Sequence, residues 1–189
     1  MRSDGGTRRP VEAVLVTGPA GSGKSTLAAE LAERLAGWQL FSEDDYWARH
    51  GWSGLRTEEQ EAVVQAEVVR DLRAAQRSSP GVVVEFILYK RPPNALSAYR
   101  AALEAAGVVH ATIVLAPPVE MIIDRMRSRG RAGDLADLDG CRAGAEQQLA
   151  CLDDESVRAD LRVGNDSRTA AQIAEAWVAP LQAPARDHL

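Results

Sequence analysis

The sequence predicts an α/β fold, a three-layer sandwich in which a five-stranded, mostly parallel sheet lies between helices and a lid covers one end. Three observations carry this prediction. Apolar runs with strand character alternate with stretches of helical periodicity along the chain, the order that builds parallel sheets. The first such junction, Gly18-Pro19-Ala20-Gly21-Ser22-Gly23-Lys24-Ser25-Thr26, fits G-x-x-x-x-G-K-[ST] and stands between a strand and a helix. The 189 residues suffice for one well-buried domain of this class and are short for two.

Taken in order, residues 1–10 are polar and basic, lack the apolar core of a signal peptide, and are expected to be disordered. A single domain is expected over 11–180, with 181–189 frayed. Val11–Thr17 is almost continuously apolar, as a central strand covered on both faces requires. The first helix is expected from about Gly23 to Ala36, with Leu27, Leu31 and Leu35 on one face and Gly37 as its stop. A short strand, Gln39–Ser42, runs into the acidic stretch Glu43-Asp44-Asp45-Tyr46-Trp47, and the residues from Trp47 to about Arg56 read as irregular, part of an acceptor flap over 43–78. Thr57-Glu58-Glu59-Gln60 is a capping box opening a long helix to about Arg77, which Ser78-Ser79-Pro80-Gly81 breaks. Val82–Leu88 is the strongest strand signal. Tyr89–Pro93 reads as a loop, followed by a helix over about Leu96–Ala106, a strand over Ala111–Leu115 and a helix over Val119–Arg129. The lid is placed at about 125–150, with Arg131–Asp139 mobile and Ala143–Leu152 as its second helix. The last strand, Asp160–Val163, precedes a turn at Gly164-Asn165-Asp166 and a closing helix over Thr169–Val178.

Composition narrows the function. Hydrophobic residues are 46% and charged residues 26%, the balance of a soluble globular protein. The net charge of −5 argues against a nucleic-acid partner, and no apolar run approaches the ~20 residues of a membrane span. Cys141 and Cys151 form no C-x-x-C pair, which suits a reducing compartment, and the expected location is the cytoplasm.

The glycine-rich junction carries the chemistry. Its glycines let backbone N–H groups converge on an anion, and the helix that follows adds unpaired amides and a positive dipole end. Gly18, Ala20, Gly21, Ser22, Gly23 and Thr26 are therefore expected at bound phosphates, Lys24 at the β- and γ-phosphates, and Ser25 on Mg²⁺. The chain has only two lysines, and Lys24 is one of them. A glycine turn that merely joins strand to helix is the bland reading. Asp44, at the C-terminal end of a strand beside this loop, stands where open α/β sheets bind ligands and can accept a hydroxyl proton or hold Mg²⁺ through water; a capping aspartate is the alternative. Glu85, inside an apolar strand, needs a partner, either a Mg²⁺–water shell beside Ser25 or an arginine. Arg125 and Arg129 lie four apart on one helix face, and Arg127 and Arg131 extend a cationic cluster suited to a moving phosphate. Trp47 and Trp52 offer rings for stacking, with buried packing the ordinary role of a tryptophan, and Lys90 is placed to meet an acceptor or a phosphate.

These motifs, in this order, resemble the small P-loop kinases of the uridine kinase, nicotinamide riboside kinase and phosphoribulokinase group, within the P-loop NTPase fold. Ser42–Trp47 is similar to that group's strand-two acidic motif, which assigns the base to Asp44, and Val84–Tyr89 is similar to the segment whose glutamate associates with Mg²⁺, here Glu85. Arg125 and Arg129 match lid-proximal arginines, and Val163–Asp166 falls where such kinases lay backbone against adenine, which brings in Asn165. The resemblance implies an ATP- and Mg²⁺-dependent kinase that phosphorylates a hydroxyl of a small molecule, with Asp44, Asp45, Tyr46, Trp52 and Lys90 toward the acceptor. A nucleoside or nucleoside-like acceptor is expected, an antibiotic included, in a monomer or homodimer. The alternatives are a nucleoside monophosphate or sugar-acid kinase, related chloramphenicol phosphotransferase-like and gluconate kinase-like enzymes, and a nucleotide-binding interaction module that transfers nothing.

Overall fold

A computed structural model describes residues 11–52, 56–89, 94–164 and 168–182, without the side chains of 94 and 180–182. Five strands, β1 (Ala13–Thr17), β2 (Gln39–Ser42), β3 (Val82–Phe86), β4 (His110–Leu115) and β5 (Leu161–Val163), form one sheet in the order β2-β3-β1-β4-β5. Every pairing is parallel, so the sheet expected to be mostly parallel is wholly so. Parallel neighbours need crossovers, and the helices that supply them are α1 (Lys24–Arg34), α2 (Glu43–His50), α3 (Glu58–Ala75), α4 (Asn94–Ala105), α5 (Val119–Arg129), α6 (Ala132–Ala136), α7 (Leu138–Leu152) and α8 (Ala170–Gln182).

Alternation along the strands divides the interior. Ala13, Leu15, Val82, Val84 and Phe86 face α3 and α4 with Val64, Val68, Leu72, Leu96, Tyr99 and Leu103. Val14, Val16, Val83, Ile113 and Leu115 face the other way, onto Leu27, Leu31, Leu35, Ile173, Ala174 and Val178 of the α1–α8 side. Glu85 follows Val84 and precedes Phe86, so the two-residue period turns it toward the α1 layer. Strand β1 is central and fully buried, and the chain leaves it toward β2 on one side while β4 lies on the other. That is the crevice position at which open parallel sheets bind ligands.

Two segments differ from the sequence reading. Residues 47–50, the first part of the stretch expected to be irregular, are instead the end of α2, whose first turn carries Glu43, Asp44 and Asp45 and whose last turn carries Arg49 and His50, charges that complement the helix dipole at both ends. Gly51 closes α2 in the left-handed conformation at φ 62°. The stretch expected as a mobile lid loop contains the short helix α6, and α7 begins at Leu138 rather than near 143 because Asp137 caps it, accepting from the Gly140 N–H at 2.8 Å. The Thr57 capping box is formed in both directions, with Gln60 N–H to Thr57 Oγ1 at 3.3 Å and Thr57 N–H to Gln60 Oε1 at 3.0 Å. Among the described residues no helix is long and apolar enough to cross a membrane.

Candidate active site

The loop between β1 and α1 is shaped by its glycines. Gly23 takes φ 96°, a left-handed angle that a side chain disfavours, and it leaves α1 without a side-chain cap, so the first-turn amides stay available to an anion. Gly18 admits no side chain for a different reason, since a Cβ there would stand 2.6 Å from the Leu115 carbonyl oxygen. The loop is gripped from the lid side. Arg125 donates to the Ser22 carbonyl at 2.7 Å, and the Ala20 N–H donates to Gln148 Oε1 of α7 at 2.9 Å.

Beneath the loop lies a buried polar cluster. Lys24 is 5% and Glu85 3% exposed, and Lys24 Nζ stands 3.4 Å from Glu85 Oε1. Ser25 Oγ donates to the same oxygen at 2.7 Å, and Ser42 Oγ donates to Glu85 Oε2 at 2.9 Å. The partner that Glu85 requires is thus a lysine and two hydroxyls, not an arginine. The donor set fits Mg²⁺, a hard ion that keeps several waters and takes one or two protein oxygens together with phosphates. Among the described residues no cluster of three His, Cys, Asp or Glu stands ready to hold an ion unaided.

A cavity of about 610 Å³ opens above this cluster. Of the residues singled out from sequence, Ala20, Gly21, Ser22, Gly23, Lys24, Ser25, Thr26, Asp44, Arg125 and Arg129 line it together. Gly18 lies buried at the loop's base, and Asp45 is exposed outside the cavity lining. Tyr46, read as an acceptor contact, is corrected to a core residue: it is 2% exposed, and its hydroxyl donates to Asp71 at 3.0 Å. Its helical position places it on the face of α2 that packs inward, which an irregular flap would not dictate. Trp52 is 38% exposed, stacks on His50 at 4.1 Å and meets Trp47 edge-on at 5.4 Å. Lys90 and Asn165 lie outside the described residues.

Arg131, read from the sequence as part of the cationic cluster, also lines the cavity. The sequence reading missed Asp134, Arg168 and Thr169, which line it too, and Arg129 is ion-paired to Asp134. Thr169 and Gln172 repeat the capping-box pattern of Thr57 and Gln60, a signal legible in the sequence. Arg56 sits over the Trp47 ring at 4.3 Å and the Tyr89 ring at 4.7 Å and pairs with Asp44 at 3.3 Å.

Glu43 is the least expected of them. It is 6% exposed, and burial raises its carboxyl to about 7, against the lowering effects of the Tyr99 hydroxyl, the Arg56 charge and the Ile87 amide. Unfolded, the group titrates near 4.5, so between these values the folded chain holds the extra proton. Its stabilising contribution is therefore complete below about 4.5 and is lost as pH rises through about 7. In metal-free buffer, thermal unfolding should show the stability difference moving in favour of Glu43→Gln between pH 5 and 7, by up to about 1.4 kcal/mol per pH unit. A flat difference would mean that Glu43 does not titrate there.

Residues 14–151 match the family model described as AAA domain. This chain belongs to the AAA domain family. Among curated relatives of this AAA-domain chain, adenylate kinase of Mycobacterium tuberculosis is 29% identical over 135 residues, spanning 66% of this chain and 74% of the relative. Among solved structures, the tunicamycin resistance protein of Deinococcus radiodurans superposes with a TM-score of 0.65 at 18% identity, covering 92% of this chain and 97% of the other. The APS kinase CysC of Mycobacterium tuberculosis gives 0.64 at 18% identity, covering 93% and 100%. At these identities the structural likeness is one of fold, and the fold is that of the small P-loop kinases the motifs resemble.

Proposed function

We propose that this protein transfers the γ-phosphoryl group of ATP to a hydroxyl of a small molecule. The observation that carries the reading is that one cavity joins the phosphate loop and Lys24 to a carboxylate, Asp44, and two arginines, Arg125 and Arg129. In this reading the loop amides and Lys24 hold the phosphate chain. Ser25 and, through water, Glu85 and Asp44 would hold Mg²⁺, which neutralises charge on the β- and γ-phosphates when bound. Asp44 accepts the acceptor's hydroxyl proton as that oxygen bonds to phosphorus, and the bond to the β–γ bridging oxygen breaks, releasing ADP. Arg125 and Arg129 balance the charge that spreads over the transferred group. Positioning and electrostatics suffice, without a covalent nucleophile.

The preferred acceptor is a nucleoside or nucleoside-like compound, antibiotics included; Arg56, 3.3 Å from Asp44 and 4.3 Å over the Trp47 ring, links that carboxylate to aromatic surface that Trp52 extends. A nucleoside monophosphate acceptor is favoured by the adenylate kinase relative and by the Arg56 guanidinium beside Asp44. The test is ATP consumption with Mg²⁺ across nucleosides, nucleoside antibiotics, tunicamycin, sugar acids and nucleoside monophosphates. Turnover that depends on one acceptor is the expected result. ATP binding without turnover of any of them would favour a nucleotide-binding module instead.

A further inference from the structure

Three consecutive residues, Ser42, Glu43 and Asp44, join β2 to α2 and take three different roles. Ser42 is tied to Glu85 at 2.9 Å. Asp44 has a side chain 55% exposed and lines the cavity. Between them Glu43 turns inward, accepting the Tyr99 hydroxyl at 2.7 Å and a backbone hydrogen bond from Ile87. Tyr99 is itself 0% exposed, rises from α4 and packs edge-on against Phe86 of β3 at 5.0 Å. One carboxyl thus ties the first turn of α2 to α4 and to the residue that follows β3.

A glutamate in the first turn of a helix gains from the dipole while still in water, so the dipole does not explain its burial. Burial costs free energy that two hydrogen bonds only partly offset. Glu43 does not line the cavity and has no part in the reaction proposed above. Its one structural product is a fixed α2 first turn, and the next residue in that turn is Asp44.

We propose that Glu43 is a positioning residue that aims Asp44 at the acceptor hydroxyl by clamping the first turn of α2 to Tyr99 and Ile87. The inference rests on the kinase reading, with Asp44 as its base. Release of the clamp lets the turn pivot, and a misplacement of about 1 Å at a reacting group costs on the order of 10²-fold in rate.

Tyr99→Phe removes one hydroxyl, and Glu43→Gln keeps the size of the side chain, so both variants are expected to fold. The measurement is kcat and the KM for ATP with the acceptor found in the panel, and ATP hydrolysis with water as acceptor where the panel yields none. Each variant is expected to lose about 10- to 100-fold in kcat with the KM for ATP within about twofold. The double variant is expected to be no slower than the slower single one, because both changes open the same clamp. Wild-type kcat in either variant would overturn the proposal. So would a loss of kcat that only tracks the unfolded fraction in thermal melts. A wild-type protein that turns over no ATP with any acceptor or with water would overturn the kinase reading and this inference with it, a result distinct from wild-type turnover that the variants leave unchanged.

Discussion

Replacing Lys24 with alanine is expected to lower ATP-dependent turnover by about 10²- to 10³-fold, the effect of deleting a preorganised charge at a developing anion. A second effect sets this variant apart from an ordinary active-site knockout. Lys24 is the cation 3.4 Å from Glu85, and Glu85 is 3% exposed. Removing the lysine leaves a buried carboxylate held by two hydroxyls alone, Ser25 and Ser42. Breaking one half of a buried pair typically costs about 3–5 kcal/mol, and the cavity that opens above Lys24 admits water and brings the expectation below that, to about 2–3 kcal/mol. Denaturant unfolding of Lys24→Ala checks the loss. Adding Glu85→Gln should recover most of the stability and none of the turnover. A single variant as stable as wild type would mean that the pair does not hold the phosphate loop to β3.

Asp44→Asn should behave in the opposite way on stability. Its side chain is 55% exposed and its partner Arg56 is 28% exposed, so the ion pair stabilises the fold by little. The amide keeps the shape of the carboxylate and cannot take a proton, and loss of a general base costs about 10²- to 10⁴-fold in kcat. ATP affinity, measured by calorimetry, should stay within a few-fold, because the phosphate loop and Lys24 are untouched. Turnover unchanged in this variant would remove Asp44 as the base.

Much of this was legible in the sequence where a local rule decides the outcome alone. Helix α5 runs from Val119 to Arg129 as read, because Pro118 precedes its first turn and Gly130 ends it with a left-handed angle. Glu85 was expected to need a partner because a lone charge in an apolar strand is costly. The partner's identity was not legible, since it depends on β1, β2 and β3 standing in a register that sets Val16 and Ser42 beside Glu85. The flap was misread over 47–50 because aromatic residues, with Gly51 just beyond, mask a helix only eight residues long. With α2 unrecognised, Tyr46 was assigned to the acceptor rather than to the core. Glu43 was invisible for a related reason: its tyrosine lies 56 positions away, on a helix whose contact with α2 only the folded chain creates. Gln148 and the Ala20 amide, 128 positions apart, are the same case.

Four cations at or beside the cavity share a further property. Lys24 rests on Glu85, Arg56 on Asp44, Arg129 on Asp134 and Arg125 on the Ser22 carbonyl. Under the proposed reading, a nucleotide entering this site trades partners rather than meeting idle charges. Its grip then equals the difference between two sets of contacts. Under that reading, removing an internal partner such as Asp134 should tighten ATP binding rather than loosen it, because Arg129 would then reach the phosphates with no contact to give up.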